Sequence, residues 1–189
     1  MRLAGAAALA LALAAPLRAE TPPPFPVTIE ADFDLVAHDG RRVASADLAG
    51  RHYLLFFGYA GCEAICDVAL ARMAEALDRL DARGLAVPAY MVTIDPERDD
   101  PGRLAATLGR LHERLVGLTG PDAALAAVWD AFQVSREVVY TDPAGQPVFA
   151  HTSFVYLIGP DGRVASALPP IVDAAHLAET VARRLDASG

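Results

Sequence analysis

The run HYLLFFGY, residues 52–59, constrains the fold more than any other stretch of the chain. Apolar side chains fall on both alternations of the run, so a strand built from it must be covered on both faces, the condition of a central strand in an α/β sheet. The following segment fits that requirement. Ile65, Val68 or Ala69, Met73, Leu77 and Leu80 recur at helical spacing, and Gly84 supplies a helix stop. A second doubly apolar strand, VPAYMVTID, comes next, and Asp100 and Pro101 then stand as cap and first residue of another helix.

Upstream, alternation at Phe33 and Leu35 with the Asp39-Gly40 turn signal predicts a hairpin. Downstream, LVGLTG reads as a short strand, PDAALAAVWDAF as a helix, and VSREVVYTDPAGQPVFA as an irregular or hairpin excursion. Leu125, Trp129 and Phe132 form a helical stripe that reads as core. The chain closes with TSFVYLIGPDGRV, two strands about an Asp161-Gly162 turn, and an amphipathic helix over residues 173–185. Strand-helix-strand units followed by a hairpin and a helix predict an α/β fold with a mixed sheet.

Residues 1–19 carry an early Arg2, an apolar run from Leu3 to Ala15 and a small-residue site at Ala19. The run is short of the roughly 20 residues of a spanning helix, so it reads as a secretory signal peptide. Membrane attachment enters only if that segment stays uncleaved. Residues 20–30, with the stretch TPPPFP, read as an extended leader, and residues 31–189 as one domain. The formal charge is −8, and loss of Arg2 and Arg18 with the signal makes it −10. Such a domain is a poor partner for nucleic acid or for an acidic membrane surface.

The chain has 2 cysteines, Cys62 and Cys66, placed where the apolar strand gives way to the helix. Four residues apart on a helix, they share a face with about 6 Å of rise between them. That separation lies within the roughly 4.4–6.8 Å a disulfide tolerates, so the pair can open and close with little backbone movement. A helix start also favours thiolate, the form that both redox exchange and soft-metal binding require. The carboxylates of Glu63 and Asp67 act in the opposite direction and are expected to raise the thiol pKa. A purely structural disulfide is a weak alternative. Closing so short a loop removes only about 2 kcal/mol of unfolded-state entropy, against about 4.7 for a 100-residue loop.

The ordered set DFDLVAHDGRRVASADLAGRHYLLFFGYAGCEAIC, TIDPERDDPGRL, GLTG and HTSFVYLIGPDGRV resembles the SCO/SenC family of thioredoxin-fold copper-handling proteins. The resemblance implies a thioredoxin-like α/β fold: a mixed central sheet, helices on both faces, and an N-terminal hairpin extension. It also implies one copper per chain, as Cu(I), Cu(II) or both, held by Cys62, Cys66 and His151. Thiolates suit Cu(I), and the imidazole helps to hold Cu(II). The role implied is an exported, periplasmic metallochaperone that delivers copper to the copper A centre of cytochrome c oxidase subunit II or to another apo-copper protein. A thioredoxin-like reductant is an implied second partner.

The competing reading is a thiol-disulfide oxidoreductase, with Cys62 and Cys66 as its redox pair and no metal retained. Exchange needs only the two thiols, so His151 separates the readings. The chain departs from the family at Glu63 and Asp67, where prolines are common, and at Ala150, where an acid is frequent. The second departure bears on what orients the imidazole.

Asp95 falls at the carboxyl end of a core strand, the edge where α/β sheets put their sites, and is a candidate outer-sphere acceptor or weak ligand. Glu97 and Asp99 read as solvated loop charges. His38 reads as a turn residue, His52 as lying at the far end of the cysteine-bearing strand, and His112 and His176 as helical surface. Tyr59 reads either as a shield for the thiols or as core.

Overall fold

The computed structural model describes residues 28–62 and 65–187; the expected signal segment, most of the expected leader and Glu63 lie outside them. A first hairpin joins β1 (Asp34–Ala37) to β2 (Arg42–Ala44), turning at Gly40 with φ 86°. After β3 (Tyr53–Gly58), α1 (Ile65–Asp81) returns the chain to β4 (Ala89–Thr93), and α2 (Pro101–Leu108) returns it to β5 (Leu115–Thr119). α3 (Asp122–Ala131) leads into a second hairpin, β6 (Arg136–Thr141) with β7 (Pro147–His151). β8 (Val155–Ile158), β9 (Val164–Leu168) and α4 (Ala174–Asp186) follow.

The main sheet has the order β2-β1-β5-β4-β3-β8-β9, with β3, β4 and β5 mutually parallel and the other pairings antiparallel. All six residues of β3 and all five of β4 are buried, as a doubly covered strand requires. Register partners share a face, so Phe56, Met91 and Gly117 point the same way. A Cβ on Gly58 would meet Cys66 of α1, and one on Gly117 would meet Leu104 of α2, so both helices cover that face. The two parallel crossovers put them there, both being right-handed turns in one direction across the sheet. On the opposite face, Phe57 meets Phe132 beyond the end of α3, at 5.0 Å between ring centroids. Helices therefore flank both faces, and α4 packs on α1.

Local chemistry sets the helix limits. Asp100 caps α2 by accepting the Arg103 N–H at 2.8 Å, with Pro101 as the first helical residue. Gly84 takes φ 73° just after α1. Between the two candidates for the second inward position of α1, the structure selects Ala69 at 0% exposed over Val68 at 43%. Phe132 and Leu125 are core, while Trp129 is partly buried and donates from Nε1 to the Thr93 carbonyl at 3.1 Å.

The excursion before β8 is a hairpin that forms its own two-stranded sheet. Every residue of β6 is exposed, which is why its sequence shows no inward face. His112 is a correction to the surface reading. Its Nδ1 accepts the Arg114 N–H at 3.0 Å, and its Nε2 lies 3.5 Å from carboxylate oxygens of Asp78 and Asp81, so it joins α1 to the turn before β5. Among the described residues no helix is long and apolar enough to cross a membrane.

Candidate metal centre

The end of β3 delivers the chain to the carboxyl edge of the sheet, and a turn closed by Cys62 N–H on the Tyr59 carbonyl at 3.2 Å presents the first sulfur there. Cys66 follows in the first described turn of α1 and is wholly buried. Its sulfur rests against Gly58, where a Cβ would stand 3.4 Å from it, so the strand approaches the helix closely under the site. The Cys66 N–H donates to the Cys62 sulfur at 3.4 Å, and neither sulfur is bridged. His151, the last residue of β7, brings Nε2 to 3.3 Å from the Cys66 sulfur.

The two sulfurs and the imidazole nitrogen all lie within 4.8 Å of one another. The His151 Nδ1 is 2.9 Å from the Thr152 carbonyl, a partner that only an Nδ1–H satisfies. That proton placement leaves the Nε2 lone pair facing the sulfurs, as a ligating imidazole requires. Cys62 borders a cleft of about 380 Å³ with Tyr59, Ile65, Tyr140, Val148 and Phe149 along its wall.

The contact with Cys62 and then burial push the Cys66 thiol well above its ordinary range, and the charge of Asp67 contributes in the same direction as the smallest named cause. The Cys62 contact and burial together outweigh the helix-start preference for thiolate at this position. A metal ion that displaces the proton reverses the balance. Glu63, expected to act with Asp67, lies outside the described residues. Tyr59 serves both roles open to it. It is 4% exposed, its hydroxyl accepts the Phe149 N–H at 3.3 Å, and its ring meets His151 edge-on at 6.1 Å.

Asp95 does sit at the sheet's carboxyl edge, yet its carboxylate is taken by Arg98, Nε to Oδ2 at 2.6 Å, and it is not part of the Cys62–Cys66–His151 group. Glu97 is exposed as expected.

Asp99 overturns its reading as a solvated charge: it is 1% exposed. Its Oδ2 accepts the Thr93 hydroxyl at 2.7 Å, and the Ala60 N–H donates to both oxygens at 3.2 and 3.1 Å. A signal was available in the sequence. The strand-edge argument that singled out Asp95 extends to a residue one turn later, which comes back to the same edge. Burial pushes the Asp99 carboxyl up from the ordinary aspartate range, opposed in part by the Thr93 and Ala60 bonds. A carboxyl with a raised folded-state pKa holds its proton more tightly when folded, so its contribution to stability is present in acid and is lost as pH rises through the folded value. We expect Asp99→Asn, which removes that titration, to flatten the loss of stability above the ordinary aspartate range. Denaturant unfolding at stepped pH checks this, and superimposable pH profiles of the two proteins would refute it.

A thioredoxin-like sheet with two thiols and an imidazole gathered at its carboxyl edge defines a thioredoxin-like protein with a candidate soft-metal site. The chain belongs to the SCO1/SenC family, whose model matches residues 21–186. It is 33% identical over 138 residues to an SCO2-like protein of Rickettsia felis, covering 72% of this chain and 67% of that one. Among solved structures it is similar to Bradyrhizobium japonicum ScoI with copper bound, at TM-score 0.75 and 30% identity, covering 82% of this chain and 99% of that one. It is also similar to BsSco, a member of the Sco family of cytochrome c oxidase assembly proteins with a disulfide switch, at TM-score 0.66 and 25% identity over 83% of this chain and 94% of that one.

Proposed function

We propose that this chain is an exported copper metallochaperone that binds one copper through Cys62, Cys66 and His151 and passes it to an apo-copper protein. The recipient to which the family points is the copper A centre of cytochrome c oxidase subunit II. The observation that carries the reading is the approach of His151 Nε2 to the Cys66 sulfur at 3.3 Å, across 85 residues of sequence. Thiol exchange needs only the two sulfurs, whereas a copper ion that cycles between Cu(I) and Cu(II) uses two soft sulfurs and a harder nitrogen. The signal-like residues 1–19 support export to a periplasm, and the proposed partner there that would keep the thiols open is a thioredoxin-like reductant.

The test is copper titration of the reduced protein lacking residues 1–19, read by X-ray absorption. One equivalent with two sulfurs and a nitrogen around the metal is expected, and transfer to an apo copper A domain should follow on mixing. Copper without sulfur ligands would sink the proposal.

A second reading, thiol-disulfide exchange on the recipient's own cysteines, is favoured by one observation. The Cys66 N–H donates to the Cys62 sulfur, a contact that a thiolate accepts more strongly than a thiol, and Cys62 is the sulfur that borders the cleft. Turnover of a disulfide-bonded apo domain by copper-free protein distinguishes it from metal delivery.

A further inference from the structure

The short loop from Ile94 to Asp99, between β4 and α2, touches both halves of the metal centre. On the cysteine side, Asp99 holds the Ala60 N–H, two residues before Cys62. On the histidine side, Arg98 Nη1 donates to the Gln146 side chain at 3.1 Å and Nη2 to the Pro147 carbonyl at 3.3 Å, tying down the start of β7. Asp95 fixes the same guanidinium from behind. Arg136, the register partner of His151 on β6, donates to the Ile94 carbonyl.

Between the two arginines lies Phe149, with the Arg98 guanidinium 5.6 Å and the Arg136 guanidinium 5.7 Å from its ring centroid. Phe149 meets Tyr59 edge-on at 5.4 Å, Tyr59 meets His151, and His151 follows Phe149 by two residues on the same strand. Two cations over one aromatic ring are held by its quadrupole and by their own hydrogen bonds. β6 and β7 pair only with each other among the described strands, so these ties are what register the hairpin against the sheet.

We infer that Arg98 is a positioning residue for the metal centre: by clamping Phe149 and the start of β7 to the Ile94–Asp99 loop, it sets where the His151 imidazole stands relative to the two sulfurs. The inference rests on the copper reading above. Asp95 then acts through Arg98 instead of meeting the metal, and Asp99 holds the sulfur side of the same frame. Planar donors directed at once to a carboxylate, an amide and a carbonyl need a guanidinium, and an ammonium reproduces only part of the set.

The experiment compares Arg98→Ala and Arg98→Lys, each alone and combined with His151→Ala, in the mature protein. Arg98→Ala is expected to weaken Cu(II) binding by about 10- to 100-fold, the usual scale for residues that orient a ligand. It should also shift the thiolate-to-Cu(II) absorption band and leave Cu(I) affinity unchanged. Arg98→Lys, which keeps charge and stem and serves where the alanine variant unfolds, should show the same band shift to a smaller extent. On the His151→Ala background neither change should lower Cu(II) affinity further. An equal loss on that background, or an equal loss of Cu(I), would overturn the inference by showing a general effect on the fold.

Imidazole resonances of His151 in the metal-free protein supply a readout that needs no copper. They should move in both variants, because the Tyr59 ring no longer shields the histidine in one fixed orientation, and unmoved resonances overturn the inference. If His151→Ala by itself leaves copper binding untouched, the copper reading fails, and the resonances alone decide whether Arg98 positions the ring.

Discussion

Cys62→Ser and Cys66→Ser should each abolish tight Cu(I) binding by the reduced protein. Serine keeps the size of the side chain and the N–H contact at position 62, so the fold should survive, but a hydroxyl is a hard, protonated donor with little affinity for Cu(I). Each change removes half of the soft-ligand set. The loss should exceed the roughly 100-fold that changes behind a ligand produce. The two variants should differ in stability, because Cys66 is fully buried against Gly58 whereas Cys62 borders the cleft. A serine at position 66 must bury its hydroxyl, with the His151 Nε2 as the nearest acceptor. Competition with a colorimetric Cu(I) chelator measures the affinity, and circular dichroism verifies the fold. Stoichiometric binding at full affinity by either variant would remove the cysteines from the site.

His151→Ala should separate the two oxidation states. Two thiolates hold Cu(I) in a nearly linear pair, while Cu(II) takes a wider coordination set that includes nitrogen. Removal of the imidazole should therefore cost Cu(II) about 100-fold or more in affinity and Cu(I) far less. Electron paramagnetic resonance of the Cu(II) protein should lose its nitrogen coupling, and the visible thiolate band should move. No loss of either state would make His151 a packing residue of the hairpin. That outcome would return the cysteine pair to thiol exchange as its main chemistry.

The parts of this molecule that were legible in the sequence are those whose neighbours are local or whose burial is two-sided. β3 and β4 announce themselves because apolar and aromatic residues fill both faces as far as the closing Gly58 and Thr93, and α2 because Asp100 and Pro101 are a start signal in themselves. The choice between Val68 and Ala69 was not legible. Both fit the helical period, and only the neighbours on α4 and the sheet decide which one faces inward. β6 defeats pattern reading for the opposite reason: with all six residues exposed, it carries no burial code at all.

The two cysteines stand out by spacing alone, but nothing in spacing connects them to His151; that link came from the order of motifs that the chain has in common with its family. Asp99 was misread because a carboxylate's burial depends on its donors. Those donors are the Ala60 amide and the Thr93 hydroxyl, one of them 39 residues away in sequence. Arg98 was hidden in the same manner, since its partners Gln146 and Pro147 lie on the far hairpin.

The separate two-stranded sheet has a thermodynamic meaning for release. A lone hairpin is marginally stable in water, so β6 and β7 stay closed only through the ties that hold them to the rest of the molecule. Their opening is a local event whose free energy lies below that of global unfolding. On the proposed reading His151 ligates copper only in the closed form, so the apparent Cu(II) affinity would equal the intrinsic affinity multiplied by the closed fraction. Linkage runs the other way as well, and on that reading copper binding is expected to slow amide exchange in β6 and β7 more than in β3. If the chain delivers copper as proposed, a recipient that engaged the exposed strand β6 would lower the hold on the metal by shifting a local equilibrium, while the seven-stranded sheet beneath the two sulfurs stayed folded.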